Sequence, residues 1–285
     1  MPCFLQRRRR TGLLLQTAQF VRKLGSFEHR GNKVKDGKRK EHVMDTGLSA
    51  LAIVMKALAG ALAGILLGNA AVYLFNHMPE KWFTDYGEEP CEELKNTDGQ
   101  RVKSYPWKFI FSMLFTAIAI YGFSRDWKYA AAVLCILWLL LEIAIGDKKY
   151  HIISDELVIL LAVSSIGMIR YVNGWKDMLA GAGTGFLIMS AGALIGRMAY
   201  RKPAVGGGDI KLFSAVGLAG GLYGILSVFI MTALFSAGHL VVRLAKGTAA
   251  RDQAVPMAPY IFLSALVYYL FLHDHIGIWL SSWIG

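Results

Sequence analysis

The chain has 285 residues, of which 55% are hydrophobic and 18% are charged, and its mean hydropathy is +0.42. Because soluble domains carry about 25% charged residues, this composition argues against a soluble globular protein. The formal net charge of +11 is concentrated at one end, where residues 1–47 hold 12 Lys and Arg against four Asp and Glu. A basic segment before a first membrane helix favours orientation in the membrane or contact with anionic lipid, and it gives no support for a nucleic-acid partner.

Apolar runs of about 17–25 residues, the length that spans a bilayer, follow residue 48 and are separated by short polar loops. They predict an all-α fold, a polytopic membrane bundle of about six to eight transmembrane helices. Four regions are expected: a basic N-terminal extension at 1–47, a first transmembrane helix at 48–79, a polar cytoplasmic insert at 80–106, and a membrane domain at 107–285 that would carry catalysis.

Residues 1–47 have a composition that cannot bury a core. Two interpretations stay open: a disordered or peripheral extension, or a translation start further on, at Met44 or Met55. The insert at 80–106 carries seven acidic residues and is either a small extramembrane module or a disordered strap.

The first span, 48–75, is rich in Ala and Gly, which permits close helix contacts. Asn69 lies inside this apolar run, and we expect it to hydrogen-bond to a neighbouring helix, with a role in binding as the second interpretation. Further spans are predicted at 107–123, 129–145, 156–172, 178–200 and 260–272, followed by a short apolar tail at 276–284.

The apolar run at 210–244 is too long for one helix through a bilayer about 30 Å thick. Its glycines, from Gly217 to Gly224, predict a break. We therefore expect a short piece leading from Asp209 and then a full span at 222–242.

Two aspartates stand at the ends of apolar segments. Asp147 lies in G-D-K-K-Y-H-I-I-S-D, and Asp209, 62 residues later, lies in A-V-G-G-G-D-I-K-L. A carboxylate at a membrane boundary is costly and is a functional candidate by default. Two neighbouring carboxylates share one proton, so that one can take a proton from water while the other polarises a carbonyl. The alternative is a proton or cation relay in a transporter.

The residues around Asp209 are candidates for binding substrate or shaping the site. Gly206, Gly207 and Gly208 would let backbone approach substrate backbone or supply dihedrals that bulkier residues avoid. Lys211 could take part, or it could be an interfacial charge near headgroups. Asp155 suits a helix N-terminus, so a helix cap is the alternative to a role at the site.

The cysteines Cys3, Cys91 and Cys135 form no C-x-x-C pair, so a four-thiolate zinc site within the chain is excluded and no metal is expected. If the Asp147 end faces the cytoplasm, most basic loops also lie inside, as the positive-inside rule requires. The basic residues concerned are Lys148, Lys149, Arg197, Arg201, Lys202, Arg243, Lys246 and Arg251. The same orientation puts the N-terminus outside, against the basic arm at 1–47.

The two aspartate motifs resemble those of the type IV prepilin peptidases, aspartic membrane proteases related to preflagellin peptidases. In that pattern, an Asp is followed eight residues later by Asp or Asn, as Asp155 follows Asp147, and G-x-G-D-x-K matches Gly206, Gly208, Asp209 and Lys211. Gly68, Asn69 and Pro79 are similar to a stretch that closes the family's first helix. The resemblance covers roughly Ala61–Leu272.

The resemblance implies that Asp147 and Asp209 are the catalytic pair of an endopeptidase in the cytoplasmic (inner) membrane, with its active site facing the cytoplasm. It implies prepilin or pseudopilin substrates of pilus assembly or type II secretion, cut after the glycine that ends a short basic leader. It also implies contact with membrane lipids. Ser154 stands where the family usually has Pro, and the insert keeps only Cys91 of a four-cysteine zinc module. No cofactor is therefore expected, and S-adenosylmethionine would be needed only if the N-methyltransferase activity of many members is retained. A presenilin-like protease that cuts inside the membrane, a transporter and a non-enzymatic scaffold are the alternatives.

Overall fold

The computed structural model describes residues 49–84, 94, 100–200, 205–247 and 255–273. The chain divides into two compact units, Met1–Met55 and Lys56–Gly285, and of the first unit only residues 49–55 are described. The predicted extension at 1–47, most of the acidic insert and the apolar tail at 276–284 therefore lie outside the described residues.

The described residues form helices and contain no strand. The helices are α1 (Ser49–His77), α2 (Ser104–Arg125), α3 (Trp127–Tyr150), α4 (Asp155–Ser164), α5 (Trp175–Tyr200), α6 (Gly207–Ala245) and α7 (Ala258–Val267). Short 3-10 turns at Glu80–Phe83 and Ser165–Met168 and a π-helical turn at Tyr268–Leu272 complete them. Five of the helices, α1, α2, α3, α5 and α6, are long and apolar enough to cross a membrane. The predicted all-α polytopic membrane bundle is confirmed.

Helix α3 is the central element. It contributes thirteen buried residues, whereas α1 exposes many large apolar side chains, as a lipid-facing helix does. Asp126 begins α3, because its carboxylate accepts the Lys128 N–H at 2.9 Å and the Tyr171 hydroxyl at 2.9 Å. These bonds lower the pKa of Asp126, with the Tyr171 hydroxyl as the main cause.

Small residues bring helices into backbone contact. A Cβ added at Gly64 or Gly68 would collide with the backbone of α2 at Thr116 and Ser112, and one at Gly217 would collide with α5 at Gly181. The expectation of close contacts along the first span is therefore met by α1 on α2.

The prediction for 156–172 was wrong in length. Helix α4 has only ten residues and continues as the 3-10 turn Ser165–Met168. Ser165, at the junction, is buried and donates its hydroxyl to the Leu161 carbonyl at 2.8 Å. A serine hydroxyl that bonds the carbonyl four residues earlier often bends a helix, and the α-helix ends beside this residue.

Helix α6 folds back on itself at Gly221, whose φ of 67° and ψ of −172° are not helical. The rings of Phe213 and Phe229 are 6.0 Å apart, whereas sixteen residues of continuous helix would separate them by about 24 Å. Residues 207–220 and 222–245 therefore form an antiparallel hairpin. The predicted break, with a short first piece and a longer second one, is confirmed.

The second half of α6 runs antiparallel to α7. His239 hydrogen-bonds Tyr260, Thr232 donates to Ser264 at 3.0 Å, and Tyr268 donates to the Gly220 carbonyl at 3.4 Å. The end of α3 and the starts of α4, α6 and α7 consequently lie at one end of the helical bundle.

Candidate active site

Asp147 lies inside α3, three residues before its last residue, and not beyond the end of the apolar segment as the sequence indicated. Its side chain is 6% exposed. Its Oδ2 accepts the Ala258 N–H at 2.8 Å, at the first turn of α7. The N-terminus of α7 thus directs an unpaired helix N–H at the carboxylate, an arrangement that favours a negative charge.

Asp209 lies in the first turn of α6, three residues after the N-terminal Gly206. Its Oδ2 accepts the Gly206 N–H at 3.3 Å, as the third residue of a capping box does. The start of α6 packs on the loop that follows α3, where Gly208 approaches Ile153. The two carboxylates, from segments 62 residues apart, therefore lie at the same end of the bundle.

The loop between α3 and α4 lets the two motifs approach. His151 ends α3 in the left-handed conformation, with φ of 55°, and its N–H bonds to the Asp147 carbonyl at 3.0 Å. Ile153 then packs on α6, where a Cβ added at Gly208 would lie 2.9 Å from the Ile153 Cβ. Gly208 is thus required by the close approach of loop and helix.

The other expectation for the glycines, unusual dihedrals, was wrong. Gly206 has φ of −73° and ψ of 151°, which any residue adopts, and Gly207 and Gly208 are helical. Among the described residues, a Cβ at Gly207 would meet nothing within 4 Å, and one at Gly206 would lie 3.4 Å from the carboxylate of Asp209. Of the described residues, only the acidic side chain of Asp209 thus comes within 4 Å of these two positions.

Lys211 and Asp155 join the two motifs directly. The Lys211 ammonium lies 2.8 Å from both carboxylate oxygens of Asp155. Asp155 is the first residue of α4, so the expectation that it suits a helix N-terminus is met, and it also binds the lysine. The side chains are 34% and 56% exposed, for Asp155 and Lys211 respectively.

Asn69 is placed at a helix interface. Its amide donates to the Ile65 carbonyl at 2.8 Å and to the Ser112 hydroxyl of α2 at 3.4 Å, which is the helix contact that the sequence indicated.

Two features of the site were missed in the sequence. The turn Glu80–Phe83 packs on Gly146, the residue before Asp147, because a Cβ at Gly146 would lie 2.9 Å from the Phe83 ring, and no pattern in the sequence indicated this long-range contact. Glu142, one turn and a half before Asp147, is fully buried, and its carboxylate has no hydrogen-bond partner within the described part of the chain. A single acid in the apolar run 129–145 was a visible signal for Glu142.

Within the described ranges, no group of three His, Cys, Asp or Glu side chains is placed to hold a metal ion. The arrangement that the structure does provide is a pair of carboxylates, held by backbone N–H donors, beside a glycine stretch.

Residues 132–241, which contain both aspartates, match the type IV leader peptidase family. The chain is also similar to prepilin leader peptidase/N-methyltransferase proteins. It is 27% identical to that of Bacillus subtilis over 181 residues, 62% of this chain and 70% of the relative. It is 25% identical to that of Pseudomonas aeruginosa over 181 residues, 62% of this chain and 60% of the relative.

No solved structure matches the chain. The family match covers α3 from its second turn through the second half of α6, and therefore includes both aspartates and the hairpin at Gly221. The similarity of this integral membrane protein to the type IV leader peptidase family therefore extends over residues 132–241.

Proposed function

We propose that the protein is a membrane aspartic endopeptidase that removes the leader peptide of type IV prepilins or pseudopilins. The observation that carries the proposal is that Asp147 and Asp209 lie at the same end of the bundle, where the start of α6 packs on the loop that follows α3. The family match supports the substrate class, since the similar proteins are prepilin leader peptidases.

In the proposed reaction the two carboxylates hold one proton between them, because neighbouring carboxylates do not ionise together readily. The ionised carboxylate takes a proton from a water molecule, whose oxygen attacks the scissile carbonyl carbon. The protonated carboxyl donates a hydrogen bond to the carbonyl oxygen. The tetrahedral intermediate then breaks at the carbon–nitrogen bond, and the leaving amine takes up a proton from the pair.

The position of the pair suits a substrate that stays in the bilayer. Both aspartates lie at the ends of spanning helices, so that the junction between a leader and a membrane helix would reach them without the helix leaving the lipid. We propose that this end faces the cytoplasm, since Lys148, Lys149, Arg197, Arg243 and Lys246 lie at the ends of helices directed toward it.

The test is co-expression with a prepilin, with leader removal followed by gel shift. Asp147→Asn and Asp209→Asn should each abolish cleavage, with a loss of 10³-fold or more in order of magnitude, while membrane insertion stays normal. Asp126→Asn is the matched control, because it removes one carboxylate from the other end of α3 and Asn caps helices as well as Asp does. If either site variant cleaves at the wild-type rate, the assignment of the pair is wrong.

Mass measurement of the mature product separates the remaining alternatives. A new N-terminus at the leader junction supports prepilin processing, whereas a cut within the hydrophobic helix would indicate a presenilin-like protease. We expect cleavage to need no cofactor and the new terminus to carry no added methyl group. An added methyl group would show that methyl transfer from S-adenosylmethionine is retained.

A further inference from the structure

A cavity of about 470 Å³ lies beside the candidate site, between the start of α2, the last turns of α3 and the start of α7. Two residues of its wall are sequence neighbours of residues in the candidate site. Lys148, on its wall, follows Asp147, and Pro259, also on its wall, follows Ala258, whose N–H binds Asp147.

The cavity is strongly cationic. Among its lining residues, all of them in the described part of the chain, four are basic and none is acidic. Two of the four are fixed in place: Arg101 is buried and donates to the Met78 carbonyl at 2.6 Å, and Lys149 donates to the Arg101 carbonyl at 2.5 Å. The other two, Lys103 and Lys148, have exposed side chains.

The other wall residues are apolar, and they include the aromatic side chains of Trp107 and Phe262. Trp107 is 40% exposed, and tryptophan is enriched at the level of lipid headgroups. On the same helix, Phe109 and Ile110 are 68% and 43% exposed, as residues that face acyl chains are. Trp107, on the cavity wall, therefore belongs to a helix that exposes large apolar side chains at the surface.

We propose that this cavity binds an anionic phospholipid. The ammonium groups of Lys103 and Lys148 and the fixed charge of Arg101 would bind the phosphodiester, and the acyl chains would lie along the Trp107 side of α2. Basic pockets between membrane helices are the usual sites for anionic headgroups. The net positive charge also disfavours a basic peptide segment as the occupant.

A bound lipid would link α2, α3 and α7 at the level of Asp147. Since the Ala258 N–H holds the Asp147 carboxylate, a headgroup between Lys148 and the start of α7 would stabilise that contact. This consequence for cleavage rests on the proposed function, whereas the binding site itself does not.

Lipid binding is tested first and without any cleavage. The purified full-length protein is incubated with equal amounts of phosphatidylglycerol and phosphatidylcholine, and retained lipid is measured by native mass spectrometry. The wild type should retain phosphatidylglycerol preferentially. Lys103→Gln/Lys148→Gln should weaken that retention about 30-fold, from about a five- to sixfold effect for each lysine.

The matched control is Lys128→Gln/Lys176→Gln. It removes the same charge from lysines that lie over Trp127 and Trp175 at the first turns of α3 and α5, outside the cavity. It should retain phosphatidylglycerol as the wild type does. Equal retention of the two lipids by the wild type, or equal losses in both double variants, would overturn the proposal.

A second arm separates lipid from an acidic peptide as the occupant. Prepilin cleavage is measured in detergent with either phospholipid added. The proposal expects phosphatidylglycerol to stimulate the wild type and the Lys128→Gln/Lys176→Gln control but not the cavity variant, with equal rates in phosphatidylcholine. A KM raised equally in both lipids by the cavity variant would assign the cavity to the substrate and contradict the lipid site.

Discussion

Lys211 and Asp155 form a direct link between the two aspartate motifs, and their contact joins the start of α6 to the start of α4. Because the pair is partly exposed, its contribution to folding is small, about 0.2–1 kcal/mol. Its effect on cleavage should be larger than its effect on stability, since Asp209 lies only two residues before Lys211.

We expect Lys211→Met to lower kcat/KM for prepilin cleavage about five- to tenfold while the melting temperature in detergent changes little. The exchanged pair Asp155→Lys/Lys211→Asp should recover part of the loss, because it restores the ion pair with its direction reversed. Cleavage assays on the two variants and Asp155→Asn measure this.

A positioning role and a substrate contact give opposite results in this experiment. If the lysine instead binds the substrate backbone, the exchanged pair would be as inactive as Lys211→Met or more so. Recovery in the exchanged pair is thus the result that supports positioning.

At the residue scale, the sequence was informative about side chains whose charge is costly to place in a membrane. Asp147 and Asp209 were predicted as site residues because each carboxylate stands at the end of an apolar run, and the motif resemblance paired them. The contact between Asp147 and the Ala258 N–H was not predictable, since 111 residues separate them and a backbone donor leaves no sequence signal. Lys211 was left open between a site role and an interfacial charge, because its partner Asp155 is 56 residues away.

At the scale of the elements, the reversal at Gly221 shapes α6. The dihedrals of Gly221 belong to a region that only glycine occupies readily, and a Cβ there would collide with the Asp177 carboxylate. The backbone groups on either side of the break are hydrogen-bonded by other helices. Asp177 accepts the Leu222 N–H at 3.2 Å, and Tyr268 donates to the Gly220 carbonyl. Asp177 therefore acts as the cap of the second half of α6.

Gly221→Ala should lower the free energy of unfolding by about 1–3 kcal/mol from backbone strain, and by more once the collision with Asp177 is included. Thermal unfolding in detergent measures the change. Gly238→Ala is the matched control, because Gly238 lies in the same helix and a Cβ there meets no described residue within 4 Å. Equal melting temperatures for the two variants would show that the backbone at Gly221 is not strained by a side chain.

The elements also show why lengths are harder to predict than positions. The break in α6 was predictable, because 35 apolar residues exceed the bilayer and the glycines mark where the run must end. The short α4 was not, because the run after Glu156 stays apolar while its α-helical part ends at Ser164 and continues as a 3-10 turn. Composition alone does not distinguish a 3-10 turn from a continuing α-helix.

At the scale of the whole membrane unit, the hairpin in α6 determines which loops share a side. Residues 207–220 lead away from Asp209 over about 21 Å, and residues 222–245 lead back along α7. Lys246 consequently lies at the end of the bundle that carries Asp147, while Lys176, beside the cap residue Asp177, lies at the other end.

This arrangement predicts opposite accessibility for two exposed lysines. With the native cysteines replaced by serine, Lys176→Cys should react with a membrane-impermeant maleimide in intact cells, and Lys246→Cys should react only after permeabilisation. The prediction follows because the positive-inside rule places the end with Lys148, Lys149 and Arg243 in the cytoplasm. If α6 did not reverse, the 37 residues from Asp209 would carry Lys246 about 56 Å away, and the two cysteines would label from the same side. Labelling of both in intact cells would contradict the hairpin, and the inverse pattern would contradict the cytoplasmic orientation of the aspartate pair.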